Sequence, residues 1–547
     1  MIRTRVAREI VHHIEQGEWT ASQVLDAYIA RSLIAQRMTH CLTEVMFEQA
    51  RADALALDKE FAISKTLKGP LHGVPVSFKD LYNVKDIDST MGYTSYADKP
   101  QAEDASPVEA IRAAGGIPFV KTNLTQGLMS YETVNPLWGR TVSPHDAHFS
   151  SGGSSGGEGA LLAMDGSALG WGTDIGGSLR IPAAYCGIYA FTPSPGRISR
   201  AGITRLNRTW ILGVPDVLGP IARSIDDLEL ACRVAFGQDM DINDYVHAPV
   251  PFKDTQLAEG KLRFGYYVDD HFVKASPACE RAVLETVEAL RREEHECVKI
   301  TIPQRSTASK ALELFVELTS ADGFQTLAEP NGSDPLEPEL YLILLAPKSF
   351  GWLRSLAAWA TRQFLRDEIY AKIIMASRKK SVREYWRISA ERDAYARLFY
   401  KEIWDKHGLD GIIAPVHALP RLPHHATQRI VPLSGATALY NIVQCPAGAL
   451  PVTHVDAARD QLTAGWTDHL RKRTAEGRGS PFLEGFLYGK GGCYDVEKMA
   501  GLPVGIQIAG RKLEDEKVLA MMRIVDKALG PRGFGPGSWS GQRGSTG

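Results

Sequence analysis

Two glycine- and serine-rich turns constrain this chain more than anything else in it. They are Gly152-Gly153-Ser154-Ser155-Gly156-Gly157-Glu158-Gly159-Ala160 and, one element later, Gly172-Thr173-Asp174-Ile175-Gly176-Gly177-Ser178-Leu179-Arg180. Glycine permits positive φ and lets backbone or substrate approach closely, so hydroxyls framed by glycines are well placed to act as nucleophiles. The run Ile175-Gly176-Gly177 ahead of Ser178 can aim successive backbone N–H groups inward, as a nest of donors for an oxyanion. Upstream, Val74-Pro75-Val76-Ser77-Phe78 forms a largely apolar lead-in to Lys79. A lysine buried at the end of such a strand can serve as a base, because burial disfavours its charged form. Strand alternation puts Asp80 on the opposite face from Lys79.

These three segments together resemble the amidase signature family of serine hydrolases. The likeness extends from about Gly17-Glu18-Trp19-Thr20 to about Gly501-Leu502-Pro503-Val504-Gly505. Within the family, Glu158-Gly159-Ala160-Leu161 after Gly157 is most similar to the fungal acetamidase-like and fatty-acid-amide-hydrolase-like branch. The resemblance implies a catalytic set of Lys79, Ser154 on a cis peptide, and Ser178 as the nucleophile. It implies an amidohydrolase that cleaves the C–N bond of a small-molecule amide through an acyl-enzyme, with no cofactor and no metal. Ile175, Gly176 and Gly177 are then expected at the oxyanion hole, and Leu128 and Met129 against the acyl group. Ser155, Thr173, Asp174 and Arg180 are expected to support the site, the last two as a salt bridge bracing the turn.

Two other readings of the same residues stay open. Gly152-x-Ser154-x-Gly156 also satisfies the nucleophile elbow of α/β-hydrolases, which makes Ser154 the nucleophile of an esterase and calls for a downstream Asp and His. His417, His424, His425 and His454 are the candidates for that role. An amidotransferase subunit, releasing ammonia for a partner protein, would use the Lys79–Ser154–Ser178 set unchanged. The motifs G-x-x-x-x-G-K-[ST], H-E-x-x-H and G-x-G-x-x-G are absent from the sequence, which leaves nucleotide and metal chemistry without a foothold.

A formal net charge of −2 gives no reason to expect a nucleic acid or an anionic membrane as partner. The seven cysteines never form C-x-x-C pairs, which argues for free thiols in a reducing compartment. Met1 to Ile14 is broken by Arg3, Arg5, Arg8 and Glu9, unlike a signal peptide, and no long uncharged apolar run suggests a transmembrane segment. A cytoplasmic enzyme is the expectation, with a homodimer left open.

Short apolar strands alternating with helices predict an α/β fold. The family resemblance implies one domain over residues 1–530, its mixed central sheet sandwiched between α-helices. Thr20-Ala21-Ser22-Gln23 reads as a capping box for a helix whose core stripe is Val24, Leu25, Tyr28, Ile29 and Leu33. N-terminal helices are expected to about residue 65, a catalytic core over about 66–230, a mostly helical segment over about 255–406, and a return to the sheet over about 407–530. Residues 531–547, rich in Gly, Ser and Pro, are expected to be a disordered tail. The apolar stretch from Leu340 to Trp359 reads first as core or a subunit interface. The alternative is a membrane-facing cap, of the kind that guides lipid substrates in membrane-associated members of the resembled family.

Overall fold

The computed structural model describes residues 5–541 except 205–212, 239–243, 245, 256, 258–259 and 304–306, together with Ile2. Thr20 and Gln23 form the expected capping box and start the helix Ala21–Thr39. Val24, Leu25, Tyr28 and Ile29 are buried there, but Leu33 is half exposed. Seven residues advance a helix by nearly two whole turns, so Leu33 shares a direction with exposed Asp26, whereas Ser32 continues the buried stripe.

Among the described residues thirteen strands form. They are β1 (Leu42–Val45), β2 (Pro75–Lys79), β3 (Ile117–Thr122), β4 (Val134–Asn135), β5 (Gly139–Arg140), β6 (Leu169–Asp174), β7 (Tyr189–Thr192), β8 (Val217–Ala222), β9 (Arg263–Tyr266), β10 (Glu296–Lys299), β11 (Gly411–Pro415), β12 (Ala447–His454) and β13 (Pro503–Ala509). β4 and β5 pair by themselves, and the rest make one sheet in the order β1-β3-β2-β6-β8-β7-β12-β13-β11-β9-β10. β3-β2-β6 and β11-β9-β10 are parallel stretches in an otherwise antiparallel sheet. Every residue of β2, β3, β6, β7, β8, β11 and β13 is buried. Strands can be buried along their whole length only if helices cover both faces of the sheet, which is the expected sandwich.

Within the mostly helical segment 255–406, β9 and β10 pair in parallel and extend the sheet beyond β11. The helices between Ala308 and Phe399, the last opened by the capping box of Ser381 and Glu384, pack on one another and, through Ala308–Thr319, on the helix Gly435–Ile442. One expectation about organisation needs correction. The stretch from Pro531 is held in place as far as residue 541. Phe534 stacks on His454 at 4.5 Å, Gly537 N donates to Asp165 Oδ1 at 3.0 Å, and the Arg31 guanidinium lies 4.4 Å from the Trp539 ring centre. Two aromatic anchors supply the apolar contact that a Gly/Ser-rich composition lacks. Residues 542–547 of the predicted tail lie outside the described residues.

Candidate active site

β2 and β6 run parallel side by side, with Ser77 opposite Gly170 and Phe78 opposite Trp171. Their carboxyl ends therefore open into one crevice, the usual place for a site in an α/β sheet. Lys79 is the last residue of β2, and Thr173 and Asp174 close β6. The first glycine turn crosses the crevice before the helix Gly156–Ala163, and the second joins β6 to the helix Arg180–Cys186.

Lys79 is fully buried, and its Nζ donates to Ser154 Oγ at 2.7 Å and to Thr173 Oγ1 at 3.0 Å. Burial lowers the Lys79 pKa to about 7, even though Asp174, Glu158 and Asp216 act in the opposite direction. The Gly153–Ser154 peptide bond is cis. Ser154, Thr173 and Ser178 border one small cavity, so the three hydroxyls share a single space. The Ser155 hydroxyl points to the Thr173 carbonyl at 3.5 Å. Asp80 faces the other way, as strand alternation requires, and its carboxylate pairs with buried Lys121 at 2.8 Å.

The second turn is braced from within. Asp174 and Arg180, both fully buried, form a bidentate pair with two contacts of 3.1 Å. Asp174 also accepts from Asn441 Nδ2 at 2.9 Å, Thr192 Oγ1 at 3.0 Å and Gly177 N at 2.7 Å. Burial alone would raise its carboxyl, but the Arg180 charge and these hydrogen bonds prevail and hold it at about 2. Arg180 reaches on to Gln507 Oε1 at 2.9 Å and Asn441 Oδ1 at 2.6 Å. Asn441 and Gln507 escaped the sequence reading, since they come from a helix and a strand far along the chain with no motif around them.

Gly177 corrects one expectation. Its N–H is engaged by Asp174 and turned into the loop, so it does not join an outward-facing nest. Its φ of 125° and the collision a β-carbon would make with Thr437 Oγ1 leave room there for glycine only. Ile175, Gly176, Gly177 and Ser178 all border a large cavity.

That cavity has a volume of about 520 Å³. Ser178 borders it, 8% exposed, together with Leu128, Met129, Phe315, Phe324 and Ile343. The apolar stretch from Leu340 to Trp359 divides its side chains. Leu342, Ile343, Leu353 and Ala357 close one side of the cavity, whereas Phe350 is 72% and Trp352 65% exposed on the outer face. The core placement therefore holds for Leu340, Ile343, Leu344 and Ala358, which are buried, whereas Leu342, Leu353 and Ala357 border the cavity with exposed side chains.

The histidines that a Ser154-centred esterase needs lie elsewhere. His417 Nδ1 shares a hydrogen bond with the Tyr185 hydroxyl at 3.1 Å, His424 meets the Ala147 carbonyl, His425 meets Glu339, and His454 stacks on Phe534. Among the described residues, no group of three or more His, Cys, Asp or Glu side chains could hold a metal ion, all seven cysteines are free, and no helix is long and apolar enough to cross a membrane.

Comparison with known proteins points the same way. The family model described as Amidase matches residues 23–519. Amidase 1 of Gibberella moniliformis is 34% identical over 523 residues, covering 94% of this chain and 91% of that one. Acetamidase of Emericella nidulans is 31% identical over 541 residues, covering 96% and 89%. A solved structure of a fatty acid amide hydrolase superposes with a TM-score of 0.80 at 27% identity, covering 97% of this chain and 86% of that one.

Proposed function

Because the chain belongs to the amidase family and is an amide hydrolase, we propose that it cleaves a carboxamide through an acyl-enzyme on Ser178. The observation that carries this reading is the setting of Lys79. Its Nζ contacts two hydroxyls and, among the described residues, makes no ion pair. A lysine held this way can be neutral near pH 7 and can take a proton.

Ser178 Oγ attacks the amide carbonyl carbon, and its proton passes to Ser154 Oγ as Ser154 gives its own to Lys79 Nζ. The tetrahedral oxyanion accepts from backbone N–H groups at Ile175, Gly176 and Ser178, which border the cavity where it forms. Collapse breaks the C–N bond. The amine leaves with the proton returned from Lys79 through Ser154, and water then attacks the acyl-enzyme by the same route in reverse. Ser155 and the Asp174–Arg180 pair hold the two turns at the distance this relay needs.

The acyl group occupies the apolar cavity beside Leu128 and Met129, whose volume favours groups larger than acetyl. A fluorophosphonate probe tests the assignment. Peptide mapping should place the adduct on Ser178, and Ser178→Ala should lose both labelling and hydrolysis while melting as the wild type does. An adduct on Ser154 would overturn it.

A further inference from the structure

Glu158, whose place after Gly157 marks the family branch in the sequence, occupies a built cradle beside Lys79. The helix Gly156–Ala163 carries it down onto β3-β2-β6, and each of these strands contributes one element of the cradle. Thr122 Oγ1 lies 2.8 Å from Glu158 Oε1, and Ser77 Oγ lies 2.7 Å from Oε2. Gly170, opposite Ser77 on β6, leaves the space open, since a β-carbon there would run into Glu158 Oε2. Ser77 stands two residues before Lys79, and Thr122 is paired with Lys79 across the sheet. The carboxyl therefore lies on the same face as the lysine, at the root of its side chain.

We propose that Glu158 is a positioning residue for Lys79: a buried carboxylic acid whose ionisation is coupled to that of the lysine. The hydrogen bonds fit a neutral acid. Glu158 is fully buried and touches two hydroxyls, with no N–H donor and no cation in contact among the described residues, a poor setting for a carboxylate. When it is protonated, Oε2–H donates to Ser77 Oγ, Ser77 Oγ–H donates to the Leu169 carbonyl at 3.4 Å, and Thr122 donates to Oε1. Every proton then has an acceptor. Its place in the first turn of the helix favours the anion, but that turn is sealed from water and none of its N–H groups is bound to the carboxyl.

The groups facing Glu158 are Lys79 from β2, the Cys41 thiol and the Tyr82 phenol. Burial raises the thiol to about 12 and the phenol well above its ordinary value, so both stay neutral while Lys79 titrates. Asp174 and Asp216 also act on Lys79. Burial raises Glu158 to about 8, close to the lysine, so the two sites lose their protons as a pair. Ionising Glu158 places an anion beside Lys79 and draws a proton back onto the lysine. A protonated Glu158 leaves Lys79 free to be neutral.

The proposal rests on Lys79 as the base, and two readouts on the full chain keep the two claims apart. Infrared difference spectra across neutral and alkaline pH should show a protonated-carboxyl band in the wild type at neutral pH that is missing in Glu158→Gln. In Lys79→Met the loss of that band should move to higher pH, because the cation that favours the anion has gone. In the pH profile of kcat/KM, Glu158→Gln should keep the acid limb in place and reach the alkaline plateau more steeply, because no anion forms above about pH 8 to draw a proton back onto Lys79. Absence of the band at neutral pH, or superposition of the wild-type and Glu158→Gln profiles, would overturn the proposal. If Glu158→Gln fails to fold, the wild-type and Lys79→Met spectra decide alone. Wild-type turnover in Lys79→Met would remove the base assignment and leave the spectra to judge Glu158.

Discussion

Lys79 Nζ lies 2.7 Å from Ser154 Oγ, and both residues are almost wholly sealed from water. A hydroxyl that receives a hydrogen bond from a buried amine can hand its own proton to that amine once the amine is neutral. The relay therefore needs a deprotonated lysine.

The pH dependence of turnover follows. Burial lowers Lys79 to about 7 from its ordinary 10.5, so the neutral base appears as pH rises through about 7. In an assay limited by chemistry, kcat/KM should climb through that region and level off on the alkaline side. Lys79→Ala should cost about 10²–10⁴-fold in kcat/KM. A pH-independent wild-type rate across this range would remove lysine from the role of base.

The Asp174–Arg180 pair should matter for stability as well as for geometry. Asp174→Ala leaves a guanidinium fully buried without its carboxylate, a change that costs about 3–5 kcal/mol. Urea unfolding measures it, and a loss below about 1 kcal/mol would mean that the site relaxes around the charge. Asp174 is held at about 2, below its unfolded value of 3.8. Its share of stability is thus complete above pH 3.8 and lost as pH falls through 2.

Gly177→Ala should impair the site even though it adds one methyl group. The left-handed φ of 125° strains any other residue, and the new carbon would push on Thr437, which accepts no displacement without loosening its own 2.6 Å bond to the Gly176 carbonyl. The expected result is a lower kcat together with slower fluorophosphonate labelling of Ser178. Unchanged labelling kinetics would show that the turn absorbs the methyl group.

Acyl-chain preference should follow the cavity. Each methylene buried contributes about 0.8 kcal/mol, or roughly fourfold in kcat/KM, from acetamide towards longer or aromatic primary amides. Met129→Trp should penalise the larger substrates selectively. If acetamide is the best substrate, or if Met129→Trp slows all chain lengths alike, the acyl group binds elsewhere.

Much of this was legible locally. The capping box at Thr20 and the two glycine turns depend on short-range backbone chemistry, and they appear where the residues put them. Leu33 shows how far a local pattern carries, since apolar character alone could not say which side of the helix met the core. The strands Arg263–Tyr266 and Glu296–Lys299 were hidden because each is short and lies among helices, and they become strands by pairing with each other and with β11.

The sequence by itself determined the chemical groups: a lysine at a strand end, hydroxyls on glycine turns, and a carboxylate and a guanidinium flanking one of them. Only the tertiary structure decided their partners. The strand order β3-β2-β6 brought Thr122, Ser77 and Gly170 around Glu158, and β13 with the helix Gly435–Ile442 brought Gln507 and Asn441 to Arg180. Those hydrogen bonds span from 36 to 327 residues of chain and pair polar groups out of reach of water. Such pairing is set by which elements pack together, and no local pattern encodes it.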